Sequence, residues 1–373
     1  MVLSKKHEKI LEILKANPFI QQKELSEIIG LSRSATANLI SQLIDEGYLL
    51  GKAYIINESR NELIVCVGGA NIDSKMVLEN KVKLYTSNPV SEEVSVGGIA
   101  RNIAENLGRL GRKVSLMSII GNDENGRFLF SQSTPFMIMN HTQIIVNEQT
   151  GRYTAVIQKD GELIVGLADM SICKRMDANW IDFNRSHLLS AKFVVADTNI
   201  MQSAFEQLIT ISKETGMRLI ICGVTAAKMS RIPSNIQGVY LVIANVCESQ
   251  AYLKTNETDL YNIVKLWLKK GVSNVIVTSS TSAVGYGHQN EIRVDRPSKT
   301  YKITDINRTS DRFASGFLYG LSKDLSFEES LEYGKLTALL AIQLGDTIRK
   351  DLSSQFIEKE LEKYRTKEKK DPS

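Results

Sequence analysis

The stretch Leu63-Ile64-Val65-Cys66-Val67-Gly68-Gly69 decides the fold of most of this chain. Consecutive apolar residues without alternation read as a strand buried on both faces, and the glycine pair ends it. Working outward toward the C-terminus, runs of the same kind recur at Val114 to Ile120, Phe193 to Ala196, Arg218 to Cys222, Tyr240 to Ile243 and Asn274 to Thr278. Helical segments lie between them, among them Ala100 to Leu110, Met201 to Lys213 and Tyr261 to Lys270. Apolar strands alternating with helices predict an α/β fold with a doubly wound, mostly parallel sheet whose ligands sit at the carboxyl ends of the strands. Gly151 to Leu167 alternates around Asp160-Gly161 as a hairpin does, and with Val82 to Val96 it is predicted to form a small β lid over that site.

Toward the N-terminus the pattern changes to short helices. Ser4 can cap a helix in which Ile10, Leu11 and Leu14 share a face, ended by Asn17-Pro18. Gln22 to Ile29 follows, with Leu25, Ile28 and Ile29 inward and Gly30 as its stop. Ser32 caps a third helix, Arg33 to Glu46, whose apolar stripe is read as Ala35, Leu39 and Leu43. Arg33, Ser34, Thr36, Ala37, Asn38, Ser41 and Gln42 then face outward. No acidic residue occurs between Ile28 and Ile44, so this face suits the major groove of double-stranded DNA. Tyr48 to Ile56 reads as two strands around Gly51-Lys52, a wing that brings Lys52 to the DNA. Ile20 to Ile56 resembles the winged helix-turn-helix of bacterial regulators. The expected division is 1–58 for this DNA-binding domain, 59–62 for a polar linker, 63–365 for the α/β domain and 366–373 for a polar tail.

With 373 residues, 43% hydrophobic and 24% charged, the composition is that of a multi-domain globular protein and excludes collagen-like or wholly disordered classes. The net charge of +4 is not a nucleic-acid signature, because positions 1–58 carry seven basic and seven acidic residues. One copy would therefore bind DNA weakly, and a homodimer is expected. Cys66, Cys173, Cys222 and Cys247 are far apart, which suggests reduced core thiols rather than a zinc site or disulfides. His7, His141, His187 and His288 read as isolated. A charged start and no long apolar run point to the cytoplasm and no membrane span.

Four further stretches carry chemistry. Gly68-Gly69-Ala70-Asn71-Ile72-Asp73 closes the first strand, and a carboxylate such as Asp73 can accept two hydrogen bonds from a diol. Gly97-Gly98-Ile99-Ala100-Arg101-Asn102 opens a helix with a glycine pair that lets backbone approach a ligand. Asn245-Val246-Cys247-Glu248 and Thr304 to Phe313, TDINRTSDRF, complete the set. Together, over roughly Leu63 to Leu361, they resemble the ribokinase-like (phosphofructokinase B type) carbohydrate kinases. That resemblance implies sugar binding by Asn71, Asp73, Gly97, Gly98 and Asn102. It further implies magnesium and water near the phosphates organised by Asn245 and Glu248, an ATP loop at Thr278, and Asp311 as the base that takes the proton of the substrate hydroxyl. The phrases GGIARNIAENLGRLG and DGELIVGLADMSI look most like the pseudouridine kinase branch, which would put Asp169 beside the substrate.

The nucleotide half departs from the family pattern. Arg308, Thr309 and Ser310 stand where the family has Gly-Ala-Gly before the base, a turn whose free N–H groups stabilise the transferring phosphate. Thr278-Ser279-Ser280-Thr281-Ser282-Ala283 lacks both glycines of the family's nucleotide loop. The expectation is a transcriptional regulator that senses pseudouridine or another ribose-containing molecule, with ATP and Mg2+ as cofactors only if turnover survives. The rival is an active ATP-dependent kinase that phosphorylates the 5-hydroxyl, in which Arg308 replaces the lost backbone donors.

Overall fold

The computed structural model describes residues 3–17, 20–49, 62–280, 283–288, 291–296, 306–344 and 349–370, without the side chains of 306–309, 341–344 and 367–370. The expected wing with Lys52, most of the linker, and the side chains of Arg308 and Thr309 lie outside the described residues.

The N-terminal unit holds α1 (Lys5–Ala16), α2 (Gln22–Ile29) and α3 (Arg33–Asp45) around Ile10, Leu14, Ile20, Leu25, Ile40, Leu43 and Leu49. Ser4 caps α1, Gly30 ends α2 at φ +73°, and Ser32 accepts the N–H of Ala35 to cap α3. The inward stripe of α3 is Thr36, Ile40 and Leu43, one position on from the expected Ala35 and Leu39, which are only partly buried. Ile28 of α2 is exposed rather than inward.

In the main domain, β1 (Ile64–Val67) leads into β2 (Asn71–Leu78), β3 (Val90–Gly97) and α4 (Ile99–Arg109). Then come β4 (Val114–Met117), β5 (Ile119–Gly121), α5 (Glu124–Ser133), β6 (Gln143–Ile145), β7 (Arg152–Ile157) and β8 (Leu163–Asp169). The next elements are α6 (Ala178–Phe183), α7 (Arg185–Leu189), β9 (Phe193–Asp197), α8 (Gln202–Thr215), β10 (Leu219–Cys222), β11 (Val239–Asn245) and α9 (Val246–Leu253). The chain closes with α10 (Leu260–Lys269), β12 (Asn274–Thr278), β13 (Val284–His288), β14 (Glu291–Asp295), α11 (Ile306–Ser322), α12 (Phe327–Leu344) and α13 (Ser354–Lys370).

Eight strands form one sheet in the order β14-β13-β12-β11-β10-β9-β1-β4, parallel except at the β13 and β14 edge. The apolar runs are continuous because alternate residues feed two cores. Val65, Val67, Val194 and Ala196 pack on the α8 and α10 side, whereas Ile64, Cys66, Phe193 and Val195 pack on the α4, α11 and α12 side. The lid is a second sheet, β3-β2-β7-β8, whose hairpin turns at Gly161 with φ +91°. Its first expected strand begins only at Val90, and Val82 to Pro89 is irregular. The antiparallel β12–β13 and β13–β14 pairs at one edge fit the mostly parallel sheet expected.

Candidate functional site

The site forms where β1, β9 and the start of α4 meet beneath the lid. Asn71 Nδ2 donates to Asp73 Oδ1 at 2.6 Å, both on one face of β2. A side chain at Gly97 would fall on the Asp73 carboxylate, so glycine there clears the carboxylate's position. Gly98, at φ +99°, would drive a Cβ into the Gly69 carbonyl. Thus the two glycine pairs pack against each other, and α4 springs from that contact. Asn102, in the first turn, donates from Nδ2 to Asp311 Oδ2 at 3.1 Å across to α11. Asn71, Asp73 and Gly97 thus form one contact group and Asn102 and Asp311 another, with Gly98 packed on Gly69 at the start of the helix that carries Asn102.

Two groups that sequence reasoning missed hold this arrangement. Asp197 ends β9, is 1% exposed, and accepts the N–H groups of Gly69 (3.0 Å), Ala100 (2.9 Å) and Asn199 (2.8 Å) as well as the Asn199 side-chain amide (3.0 Å). One carboxylate thereby ties the first glycine pair to the start of α4. Asn199 in turn accepts from Lys228 Nζ at 2.5 Å, and Arg231 donates to the Asn199 carbonyl. Burial lowers the pKa of Lys228, and Asp197 acts against that shift. The available signal is a carboxylate at the carboxyl end of a parallel strand, directly after the apolar run Phe193 to Ala196.

The second group is Arg101, 1% exposed, which donates to Ser133 Oγ at 3.1 Å and to Asn102 Oδ1 at 3.4 Å and forms an ion pair with Glu105. Burial lowers its pKa while Glu105 and Asp73 raise it. Because Arg101 takes the carbonyl end of the Asn102 amide, the NH2 end is left to face Asp311.

The other expected site residues are placed differently. Asp169 pairs with Arg152 on the face of the lid sheet opposite Asp73, and its carboxylate accepts the Ser171 N–H and hydroxyl, which lowers its pKa. It does not join the cluster. Asn245 and Glu248 cap α9 reciprocally, each accepting the other's backbone N–H at 2.9 Å, and both are buried. Burial pushes the Glu248 carboxyl up to about 7 against these hydrogen bonds. Thr278 ends β12, and its Oγ1 is buried without a hydrogen-bond partner among the described residues. Ser279 donates both its N–H and its hydroxyl to the Ala283 carbonyl. Helix α11 starts at Ile306, five residues before Asp311, and Ser310 is already inside it. An α-helix bonds every N–H beyond its first turn to the carbonyl four residues earlier, so the N–H groups next to Asp311 are consumed. Ser310 and Asp311 therefore lie beyond the free first turn of α11. No group of three or more His, Cys, Asp or Glu that could hold a metal occurs among the described residues.

On α3, Arg33, Ser34, Asn38, Ser41 and Gln42 are exposed. Thr36 is not: it is fully buried, and its hydroxyl donates to the Ser32 carbonyl at 3.1 Å. Gln42 is partly committed, since its Oε1 lies 3.0 Å from His7 Nε2. The histidines are not all isolated: His7 bridges Ser4 and Gln42, and His141 stacks on His187 with ring centroids 3.4 Å apart. Cys66, Cys173 and Cys222 are buried free thiols, but Cys247 is exposed.

The model of the pfkB family carbohydrate kinases matches residues 61–354. The chain belongs to this family. Residues 3–49 match the model of a winged helix-turn-helix DNA-binding domain. Among relatives of the PfkB chain, the Escherichia coli protein YeiI, described as an uncharacterized sugar kinase, is 25% identical over 94% of this chain and 97% of its own length. The pseudouridine kinase of E. coli is 23% identical over 78% of this chain and 94% of its own. A carbohydrate kinase structure from Agrobacterium tumefaciens superposes with a TM-score of 0.71 at 24% identity, covering 80% of this chain and 97% of that one. A ribokinase structure from Thermotoga maritima gives 0.67 at 22% identity, covering 81% and 99%. These structures share the ribokinase-like α/β fold. No described helix is long and apolar enough to cross a membrane.

Proposed function

We propose that this PfkB chain is a DNA-binding transcriptional regulator whose kinase-like domain binds a ribose-containing small molecule, pseudouridine or a related nucleoside, without transferring phosphate to it. The observation that carries the reading is the contrast between the two halves of the site. Asn71 is paired with Asp73 at 2.6 Å and Asn102 with Asp311 at 3.1 Å, while α11 starts five residues ahead of Asp311 and takes up the N–H groups next to it. The similarity to pseudouridine kinase supports a nucleoside as the ligand.

In this reading Asp73 and Asn71 take the sugar hydroxyls, the lid closes over them, and the ligand favours one of two arrangements of the paired N-terminal domains by its different affinity for the two. A homodimer supplies the second DNA reader. The outer face of the lid offers a surface for it, since Val94 and Leu167 share one cross-strand row and are both exposed, with exposed Val90 and Val165 in neighbouring rows. Domain limits of 1–58 and 63–365 accompany this reading. The test is a coupled ADP-release assay with pseudouridine beside calorimetry on the same protein. Heat of binding without ADP release is the expected result; turnover by wild type that vanishes in Asp311→Asn refutes it.

The Asn102–Asp311 hydrogen bond favours the second reading, an active kinase in which Asp311 is oriented to accept a hydroxyl proton. The same assay decides between them.

A further inference from the structure

We infer that Tyr153 is the specificity-determining residue that makes the site a nucleoside site rather than a free-pentose site, by giving the ligand's planar base an aromatic surface on the inner face of the lid. The inference rests on the pentose-binding reading above.

Strand register places it. Asp73 of β2 is the direct partner of Tyr153 of β7, so the two side chains stand next to each other on the same face of the lid. Tyr153 is in turn paired with Ala168 of β8, whose methyl group leaves the neighbouring space low. One row further along, Gly166 supplies no side chain. A Cβ built there would lie 2.7 Å from the Tyr153 hydroxyl and 3.1 Å from Cε2, so the ring leans across the strand into room that only glycine leaves. Tyr153 is 37% exposed, an unusual position for a tyrosine that merely fills a core. A pentose whose hydroxyls are held by Asn71 and Asp73 carries whatever is attached to its ring past this neighbour. A planar heterocycle can stack there, whereas a free sugar has no group to place on it. Base–aromatic stacking tolerates many bases, so the platform selects for the presence of a base more than for its identity.

The test is calorimetric titration of ribose, uridine and pseudouridine into wild type, Tyr153→Ala, Tyr153→Phe and Asp73→Ala. Wild type is expected to bind the nucleosides more tightly than ribose. Tyr153→Ala should weaken both nucleosides about tenfold, within the range known for loss of one stacking ring, and leave ribose within about twofold. Tyr153→Phe, which keeps the ring, should restore nucleoside affinity and thereby exclude a folding defect. Equal loss of ribose and nucleosides in Tyr153→Ala, or no loss of either, overturns the platform. Ribose bound as tightly as nucleosides, and lost in Asp73→Ala, overturns the platform alone. Absence of binding by wild type to all three overturns the pentose-site reading with it.

Discussion

Replacing Asp197 by asparagine should unfasten the crevice while leaving its volume intact. Oδ2 accepts the N–H of Gly69 at 3.0 Å, the N–H of Ala100 at 2.9 Å and the Asn199 amide at 3.0 Å, and Oδ1 accepts the N–H of Asn199 at 2.8 Å and again Gly69 at 3.2 Å. Whichever way the new amide turns, its NH2 faces two or more N–H donors. Buried hydrogen bonds to a charged acceptor are worth about 1.5–3 kcal/mol each, and a stranded donor costs about 1–3 kcal/mol. Loss of two such bonds puts the penalty at about 4 kcal/mol, a large part of the roughly 5–15 kcal/mol that holds an ordinary domain together. Urea denaturation followed by far-UV circular dichroism reads it: with an m-value of about 3 kcal/mol/M, the midpoint should fall by about 1 M. Ribose affinity should fall in parallel, because Gly69 leads directly into Asn71 and Ala100 into Asn102. A midpoint within about 0.2 M of wild type would show that Asp197 does not clamp the two glycine segments, and the explanation of the site's geometry would fail.

Glu248→Gln should remove a pH dependence of stability. The Glu248 carboxyl is raised from 4.5 to about 7 by burial, so the folded state binds its proton more tightly than the unfolded chain; its contribution is present below about 4.5 and lost as pH rises through about 7. Wild type should therefore lose stability relative to the glutamine variant between these pH values, and parallel denaturation profiles for the two proteins would contradict this. Gly97→Ala should displace the Asp73 carboxylate and abolish detectable ribose binding in calorimetry with little change in the melting temperature; retained affinity would mean Asp73 is not a ligand group. On the DNA side, Thr36→Ala should lower the stability of the N-terminal domain by about 1 kcal/mol and leave DNA affinity unchanged, since its hydroxyl already serves the Ser32 carbonyl. Asn38→Ala, at an exposed position, should relax sequence preference in a mobility-shift assay. An effect of Thr36→Ala on DNA affinity at unchanged stability would restore the rejected helix register.

Much of this architecture is legible in the sequence because the signals are local. Continuous apolar runs mark strands covered on both faces, and the limits of α2 follow from Gly30, whose left-handed φ only glycine adopts freely. Asn71, Asp73, Asn102 and Asp311 are proposed from motifs, and the structure pairs them two by two. What escapes is what tertiary packing decides. Helix α3 turns one position from its expected face because a threonine that bonds its own helix's carbonyl can be buried as readily as an alanine; hydrophobicity alone ranks Thr36 as outward. Asp169 leaves the site because side chains alternate along a strand, and β8 pairs in the register that puts this carboxylate on the outer face. Asp197 escapes because a lone aspartate after an apolar run reads as a turn residue until the donors from β1 and α4 are seen to converge on it.

The glycines that first suggest a ligand site are, on inspection of their neighbours, poor witnesses to one. Gly68 is required because a Cβ there would collide with the Asp197 carboxylate, and Gly98 because its φ is +99° and its Cβ would meet the Gly69 backbone. Both would be required in a pure scaffold that never met a sugar. Asn71 and Asp73 differ. They are held to each other at 2.6 Å beside a glycine, Gly97, whose missing side chain makes room for that carboxylate. The distinction also explains the uneven state of the site. Packing of the fold protects the glycines of the sugar half whether or not the protein turns over. The residues ahead of Asp311 lie in helix α11, which begins at Ile306, and a sequence without glycine there suits a helix.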